Sequence, residues 1–318
     1  NIPFHLTCWA KLCYISILRK PLARYYRKYK MSTYDVLAID AVCNLFTPEI
    51  VESRPSWTTD FFSNKVNAED KLRGVTVEDM LGMMDRAGVE KAILLAPILG
   101  PPEHPSNWTL PYEEVEKVVG KYPNRFYGIA GIDPFEGMEG VKKLERAVKE
   151  MGFIGAQLYP HWFELAPDHR KYYPFYAKCV ELDIPMQMQV GHCLRYSKDR
   201  PLRSVGRPIT LDTVACDFPD LKLIGSHIGY PWVDEMISVA WKHPNVYISS
   251  DAYAPKYWQP SFVHFINSWG PDKVLFGTDF AVIDIERARK EVEELGLKPT
   301  SKQKFLRDNT IRVYKLDD

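Results

Sequence analysis

The sequence predicts an α/β protein folded as a single (β/α)8 TIM barrel, and three observations carry that prediction. Short β-rich runs alternate with amphipathic helical stretches from residue 35 to the end of the chain, eight such runs occur, and no low-complexity linker interrupts them. Strand–helix alternation implies a parallel sheet, because parallel neighbours need a crossover between them. Eight units favour closure into a barrel over an open sheet. A length of 318 residues fits one such domain, since barrels of about 250 residues routinely fold as one unit.

Taken in order, the strands are expected at residues 36–40, 91–96, 126–132, 153–158, 185–190, 222–226, 246–250 and 273–277. Helical patterns fall at 77–87, 112–121, 138–151, 173–183, 209–217, 231–242 and 261–269, then at 284–294 and 301–314. Thr300 and Gln303 have the spacing of a capping box for the last helix.

Charge divides the chain unevenly. Residues 1–30 hold seven basic residues and no Asp or Glu, and removing them from the 41 Lys and Arg leaves 34 basic against 41 acidic residues, a formal −7 over residues 31–318. A mildly acidic body gives no electrostatic case for nucleic acid. The basic stretch has no small-residue cleavage site and no long apolar run, so it reads as an upstream extension or an expression tag, with a natural start at Met31; a targeting peptide or amphipathic membrane anchor is the other reading. Residues 31–318 then form the barrel domain. No run reaches 18 apolar residues, so no membrane span is expected. Six scattered cysteines without a CxxC pair argue against a disulfide scaffold and suit a cytoplasmic location.

Side chains at the C-terminal ends of barrel strands converge on one mouth. Those positions hold Asp40 to Asn44 after the first strand, Tyr159 and His161 after the fourth, and His192 after the fifth. His227, Asp251 and Asp279 follow the sixth, seventh and eighth. The long first loop, with Arg54, Trp57, Phe61 and Phe62, is placed to roof the mouth. The fifth loop carries Arg195, Lys198, Arg200, Arg203 and Arg207 against Asp199. On an acidic body, basic side chains at the mouth would draw in and clamp a carboxylate. A solvated or subunit-facing charge run accounts for them equally well.

Three motifs carry a family likeness: Gly225-Ser226-His227-Ile228-Gly229-Tyr230-Pro231-Trp232, then Pro244-Asn245-Val246-Tyr247, then Val274-Leu275-Phe276-Gly277-Thr278-Asp279. In this order and at barrel spacing they resemble amidohydrolase-related proteins, in the branch containing aminocarboxymuconate semialdehyde decarboxylase and related decarboxylases, hydratases and lactonases. The resemblance covers roughly residues 35–315. It implies one divalent metal, zinc first and manganese or iron as alternatives, with His192 and Asp279 among the ligands and His227 beside it as acid or base. Members place two further ligands as His-x-His after the first strand. Here Val42 and Asn44 occupy those positions, so the pair is expected to be lost. Valine cannot coordinate, and an amide oxygen is a poor zinc ligand.

Each remaining candidate has a plainer reading beside the functional one. His161 lies at the right depth to replace a ligand, or it packs as a loop histidine on Trp162. Cys43 offers a thiolate, but a small buried filler suits its alternation better. Asp251 orients Asp279 or His227, or caps the following loop. His243, at a helix end before Pro244, reads as dipole compensation and packing. Tyr253, Tyr257 and Trp258 are interface anchors or pocket lining.

Two functions follow. In the first, the chain is a metal-dependent lyase or hydrolase of the decarboxylase or hydratase type acting on a small carboxylic acid. Arg195, Arg203, Tyr159 and Trp57 bind substrate, His227 and Asp279 do the chemistry, and His192, Asp279 and His161 hold the metal. In the second, it is a metal-degenerate subunit of a two-subunit dinuclear oxygenase, retaining at most a structural zinc. Either reading suits a homo-oligomer or a hetero-oligomer with a homologous barrel.

Overall fold

Eight parallel strands alternate with helices along the chain in the computed structural model, which describes residues 34–195, 198 and 200–317. The boundary expected between residues 30 and 31 lies outside these residues. The strands are β1 (Ala38–Asn44), β2 (Val89–Ala96), β3 (Phe126–Gly131), β4 (Ala156–Leu158), β5 (Met186–Gln189), β6 (Leu223–Ser226), β7 (Val246–Ser249) and β8 (Val274–Leu275). Each pairs in parallel with the next in chain order. Closure falls to the segment after β8: Ala41 N–H donates to Phe276 O at 2.8 Å, Asp279 N–H to Val42 O at 2.8 Å and Asn44 N–H to Phe280 O at 2.9 Å. The sheet thereby returns to its first strand.

Period-two alternation divides the core. Ile39, Ala41, Ile93, Leu95, Ile129, Ile224 and Leu275 pack together inside the ring. Ala38, Cys43, Ala92, Leu94 and Ala130 belong to the larger layer between strands and helices. The enclosing helices include Val77–Ala87, Tyr112–Lys121, Met138–Lys149, Tyr173–Leu182, Thr210–Asp217, Val233–Lys242, Pro260–Asn267 and Ile285–Glu293. Several start where the sequence supplies an oxygen to cap them: Thr76 accepts from Asp79 N–H, and Asp284 from Glu286 and Arg287 N–H.

Three details depart from expectation. β1 runs on to Asn44, because a register shift between Asp40 and Cys43 lets the strand continue past a buried acid. Asp40 stabilises that irregularity by accepting from Val42 N–H at 3.1 Å. The final helix begins at Pro299, with Lys298 as its cap residue and no side-chain cap. Thr300 therefore lies inside the first turn: proline, which fixes φ and lacks an N–H, takes the first helical position. The first loop is also folded, through helices Pro48–Glu52 and Trp57–Asp60 and a wide turn at Phe61–Val66. A small antiparallel hairpin, Ile98–Leu99 with Trp108–Thr109, stands beside it.

Candidate active site

At the C-terminal ends of the strands lies a cavity of about 560 Å³. Its floor holds Asp279, His227, Gln189, Gln157, Asn44 and Val42. Asp279 is held by a clasp from β1. The buried Asp40 carboxylate accepts from Thr278 N–H at 3.0 Å and Thr278 Oγ1–H at 2.6 Å, while Asp279 N–H bonds Val42 O. This clasp fixes Asp279 in a left-handed conformation, φ 55°, which a side chain with Cβ adopts only at a cost of about 1–2 kcal/mol. His227 is likewise left-handed, φ 62°. Its N–H donates to Asp251 Oδ1 at 3.2 Å, so Asp251, two residues past the end of β7, holds the backbone after β6.

The side chains meet as these backbones dictate. His227 Nε2 is 3.3 Å from Asp251 Oδ2 and 3.8 Å from Asp279 Oδ2. Its Nδ1 lies 3.3 Å from the amide nitrogen of Gln189. An amide N–H directed at Nδ1 makes that nitrogen the acceptor and puts the imidazole proton on Nε2, facing the two carboxylates. Asp279 Oδ1 accepts from Asn44 Nδ2 at 2.7 Å, and the same nitrogen donates to Phe280 O at 2.8 Å. Both partners are acceptors, so the Asn44 amide has one sensible orientation and its oxygen does not serve Asp279. Burial raises the Asp279 carboxyl well above the usual range, and the nearby Asp251 charge raises it further, with Asn44 opposing. Asp251 is also raised by burial, against the pull of His227. His227 is lowered by burial, against the pull of Asp251.

Other expected residues fall in different places. His192 lines the cavity, edge-on to Trp232 with ring centroids 4.8 Å apart. It is outside the group of ligand atoms that His227, Asp251 and Asp279 bring within 4.8 Å of one another. Trp57 and Tyr159 line the wall. Arg195 also lines it, its guanidinium stacked 3.1 Å from the Trp57 centroid and 4.2 Å from that of Trp162. His161 and Arg203 do not line the cavity. The His161 ring is fully buried beneath the fifth loop, where Nδ1 accepts from Val205 N–H at 3.0 Å, and burial lowers its pKa to about 4. Arg203 is largely exposed and pairs with Glu164 at 2.8 Å. Cys43 is buried, with burial raising its thiol; Tyr253 and Tyr257 line the cavity, while the buried Trp258 packs against Phe262 and Phe305.

The structure brings further polar groups to the cavity: Arg54, expected only as part of the roof, and two glutamines that sequence reasoning did not assign. Arg54 reaches the wall between Phe46 (4.9 Å) and Trp108 (4.1 Å), and its Nε has no hydrogen-bond partner. Burial lowers its pKa to about 10, with Tyr159 and Asp279 opposing. Gln157 and Gln189 carry buried carbonyl oxygens without partners. Their signal was present in the sequence as polar residues inside apolar strands. Counting the whole lining, five cationic side chains (Arg54, Lys65, Arg195, Lys256, Arg287) face one carboxylate, Asp279. Such a wall attracts an anion.

In this parallel barrel, imidazole and carboxylates gather at the C-terminal mouth, the end at which TIM barrels carry their sites. The sequence profile of the Amidohydrolase family matches residues 65–316, and the chain belongs to that family. It is 28% identical over 196 residues to a 2-keto-4-carboxy-3-hexenedioate hydratase from a Sphingobium species, a match covering 52% of this chain and 56% of the hydratase. The chain thus spans little over half of that relative. A gamma-resorcylate decarboxylase from a Polaromonas species is 23% identical over 249 residues, covering 63% of this chain and 73% of that protein. Among solved structures, an uncharacterized TIM-barrel protein from Bordetella bronchiseptica superposes with a TM-score of 0.71 at 26% identity, covering 87% and 98% of the two chains. The 5-carboxyvanillate decarboxylase of Novosphingobium aromaticivorans, complexed with manganese and a nitrobenzoic acid, gives 0.67 at 17% identity, covering 90% and 99%. That likeness is one of fold.

Proposed function

We propose that this chain is a metal-assisted lyase of the decarboxylase or hydratase type, acting on a small aromatic or unsaturated carboxylate. The observation that carries the reading is the His227–Asp251–Asp279 cluster on the floor of a cavity whose wall is cationic and aromatic. The named relatives, a hydratase and a decarboxylase, support the reaction class.

The donor set fits a hard divalent cation. Asp279 lines the cavity, ligand atoms of His227, Asp251 and Asp279 lie within 4.8 Å of one another, and His192 stands on the wall. A carboxylate with an imidazole and no thiolate suits manganese as well as zinc, and an ion so held keeps open positions for water and substrate. Asp279 and His192 would hold the ion; His161, turned away beneath the fifth loop, would not. The first-strand positions, Val42 and Asn44, contribute no ligand in this reading, which is how the site departs from the His-x-His pattern. When bound, the ion supplies a Lewis acid that polarises a carboxylate or carbonyl oxygen.

The remaining work belongs to side chains. Arg54 and Arg195 bind the substrate carboxylate, and Trp57, Trp162 and Tyr159 contact its planar body. Gln157 and Gln189 accept hydrogen bonds from its hydroxyl groups. His227 moves the proton at Nε2, oriented and stabilised as imidazolium by Asp251. In decarboxylation the carbon–carboxylate bond breaks, its electron pair stays on carbon, and that carbon takes the Nε2 proton of a His227 imidazolium as carbon dioxide leaves, which returns the ring to its neutral form; the imidazolium requires the Gln189 amide to turn its otherwise unpartnered oxygen to Nδ1–H.

The test is turnover of a panel of ring-hydroxylated benzoates and unsaturated keto-dicarboxylates by the manganese-loaded chain. Turnover that falls by about 10²–10⁴ in His227→Asn supports the assignment. Equal turnover in that variant would remove His227 from the chemistry.

A further inference from the structure

A second group of ligand-type side chains lies away from the cavity. Asp212 and Cys216 are four residues apart on helix Thr210–Asp217, and therefore on one face. His243, the residue that ends helix Val233–Lys242, turns its ring toward them, with Nε2 2.7 Å from Asp212 Oδ1. One carboxylate oxygen, the Cys216 sulfur and a His243 nitrogen all lie within 4.8 Å of one another. None of the three lines the cavity.

We propose that Asp212, Cys216 and His243 form a zinc-type binding site on the outside of the barrel, independent of the mouth. Thiolate, imidazole and carboxylate together are the donors zinc favours, and three protein ligands plus water complete a tetrahedron. The i,i+4 pair on one helix with a third ligand from a neighbour is a spacing that zinc sites use. His243 is only 8% exposed, so one ligand is already ordered before metal arrives, whereas Cys216 is exposed and free to turn inward. In the absence of metal the site is held by Lys242, whose ammonium lies 2.6 Å from Asp212 Oδ1. His243 and Lys242 both engage Oδ1. Zinc takes the place of the Lys242 ammonium at Asp212, and coordination displaces the proton of the Cys216 thiol and any proton on the His243 nitrogen that binds.

The location gives the site a structural consequence. Helix Thr210–Asp217 follows the loop carrying His192 and Arg195, and helix Val233–Lys242 follows the segment carrying His227. Arg207 and Glu235 already tie the starts of these helices together at 3.0 Å, with Ile209 N–H also on Glu235. Zinc at Asp212, Cys216 and His243 ties their other ends. The two helices behind the mouth are then fastened along their length.

The experiment uses the full chain after exhaustive chelation, titrated with cobalt and with zinc. We expect one cobalt equivalent to produce a thiolate-to-metal charge-transfer band, and one zinc equivalent to raise the thermal midpoint. Cys216→Ser loses the band and the zinc-dependent shift, and zinc affinity falls by more than the roughly 10–100-fold that an outer-shell change costs. Asp279→Asn keeps both, which separates this site from any ion at the mouth. Absence of the band in the wild-type chain, or its persistence in Cys216→Ser, overturns the proposal. Since Cys216 is exposed, its serine variant folds, and His243→Gln provides the second ligand deletion.

Discussion

Lowering the pH from about 7 to 4 should destabilise this protein through one histidine, His161, by an amount the structure lets us work out. Its ring is fully buried and sits under residues 203–206, where a Cβ added at Gly206 would lie 2.9 Å from His161 Cε1. Nδ1 accepts from Val205 N–H, so the neutral ring pins the loop. Burial is the main cause that lowers its pKa from 6.5 to about 4, with the charges of His227 and His192 adding to it and a backbone hydrogen bond opposing. Between those two values the unfolded chain binds a proton that the folded chain refuses, so stability is complete above pH 6.5. It then falls as pH drops through the folded value. At roughly 1.4 kcal/mol per pH unit, the loss approaches about 3 kcal/mol. Urea unfolding of the wild type and of His161→Gln across pH 4–7 measures it. The variant should be less stable at pH 7 and should lack the His161 share of the slope. An unchanged slope in His161→Gln, or an NMR titration of His161 near 6.5, would refute the reasoning.

Arg54→Met keeps the bulk against Phe46 and Trp108 but removes the charge, so KM for a carboxylate substrate should rise by at least about 30-fold with a smaller change in kcat, the lower end of the roughly 2–5 kcal/mol lost when a paired charge is truncated. Lys273 donates to the carbonyls of His243, Pro244 and Val246 at 2.7, 3.0 and 3.1 Å; Lys273→Met should cost about 1.5–3 kcal/mol in chemical denaturation, and a neutral result would show those bonds to be exchangeable with water. Gly191 has φ +89°, and a Cβ there would lie 2.3 Å from Tyr230 O. Gly191→Ala should therefore cost more than about 1 kcal/mol and displace His192, seen as a lower thermal midpoint together with weaker metal binding at the mouth.

Much of this architecture was legible in the residues, and the failures have physical causes. Strand β2 is an apolar run from Ala92 to Ala96 and β6 from Leu223 to Gly225 because both faces are buried there, and helices such as Val77–Ala87 are bounded by Thr76 and Gly88, which mark their ends chemically. β1 was cut short at Asp40 because a charged residue ordinarily ends a buried strand. Besides the local Val42 N–H, tertiary partners more than 230 positions away, Thr278 N–H and Oγ1–H, make that acid tolerable inside. The convergence of His227 and Asp279 follows from barrel geometry alone, which is why their positions could be read. The orientation of His161 depends on the loop at Val205 and Gly206, and that of Arg203 on Glu164, contacts with no local signature. Arg54 was readable as part of the roof, but its insertion between two aromatic rings came from the fold of the first loop.

The central claim is that Asp279 and its neighbours hold a hard divalent cation at the barrel mouth. Elemental analysis of the manganese-supplemented chain in the Cys216→Ser background, which silences the outer site, tests it directly. One equivalent of manganese per chain, lost on Asp279→Ala, is the result we predict. A metal-free chain that still turns over a carboxylate substrate would contradict it.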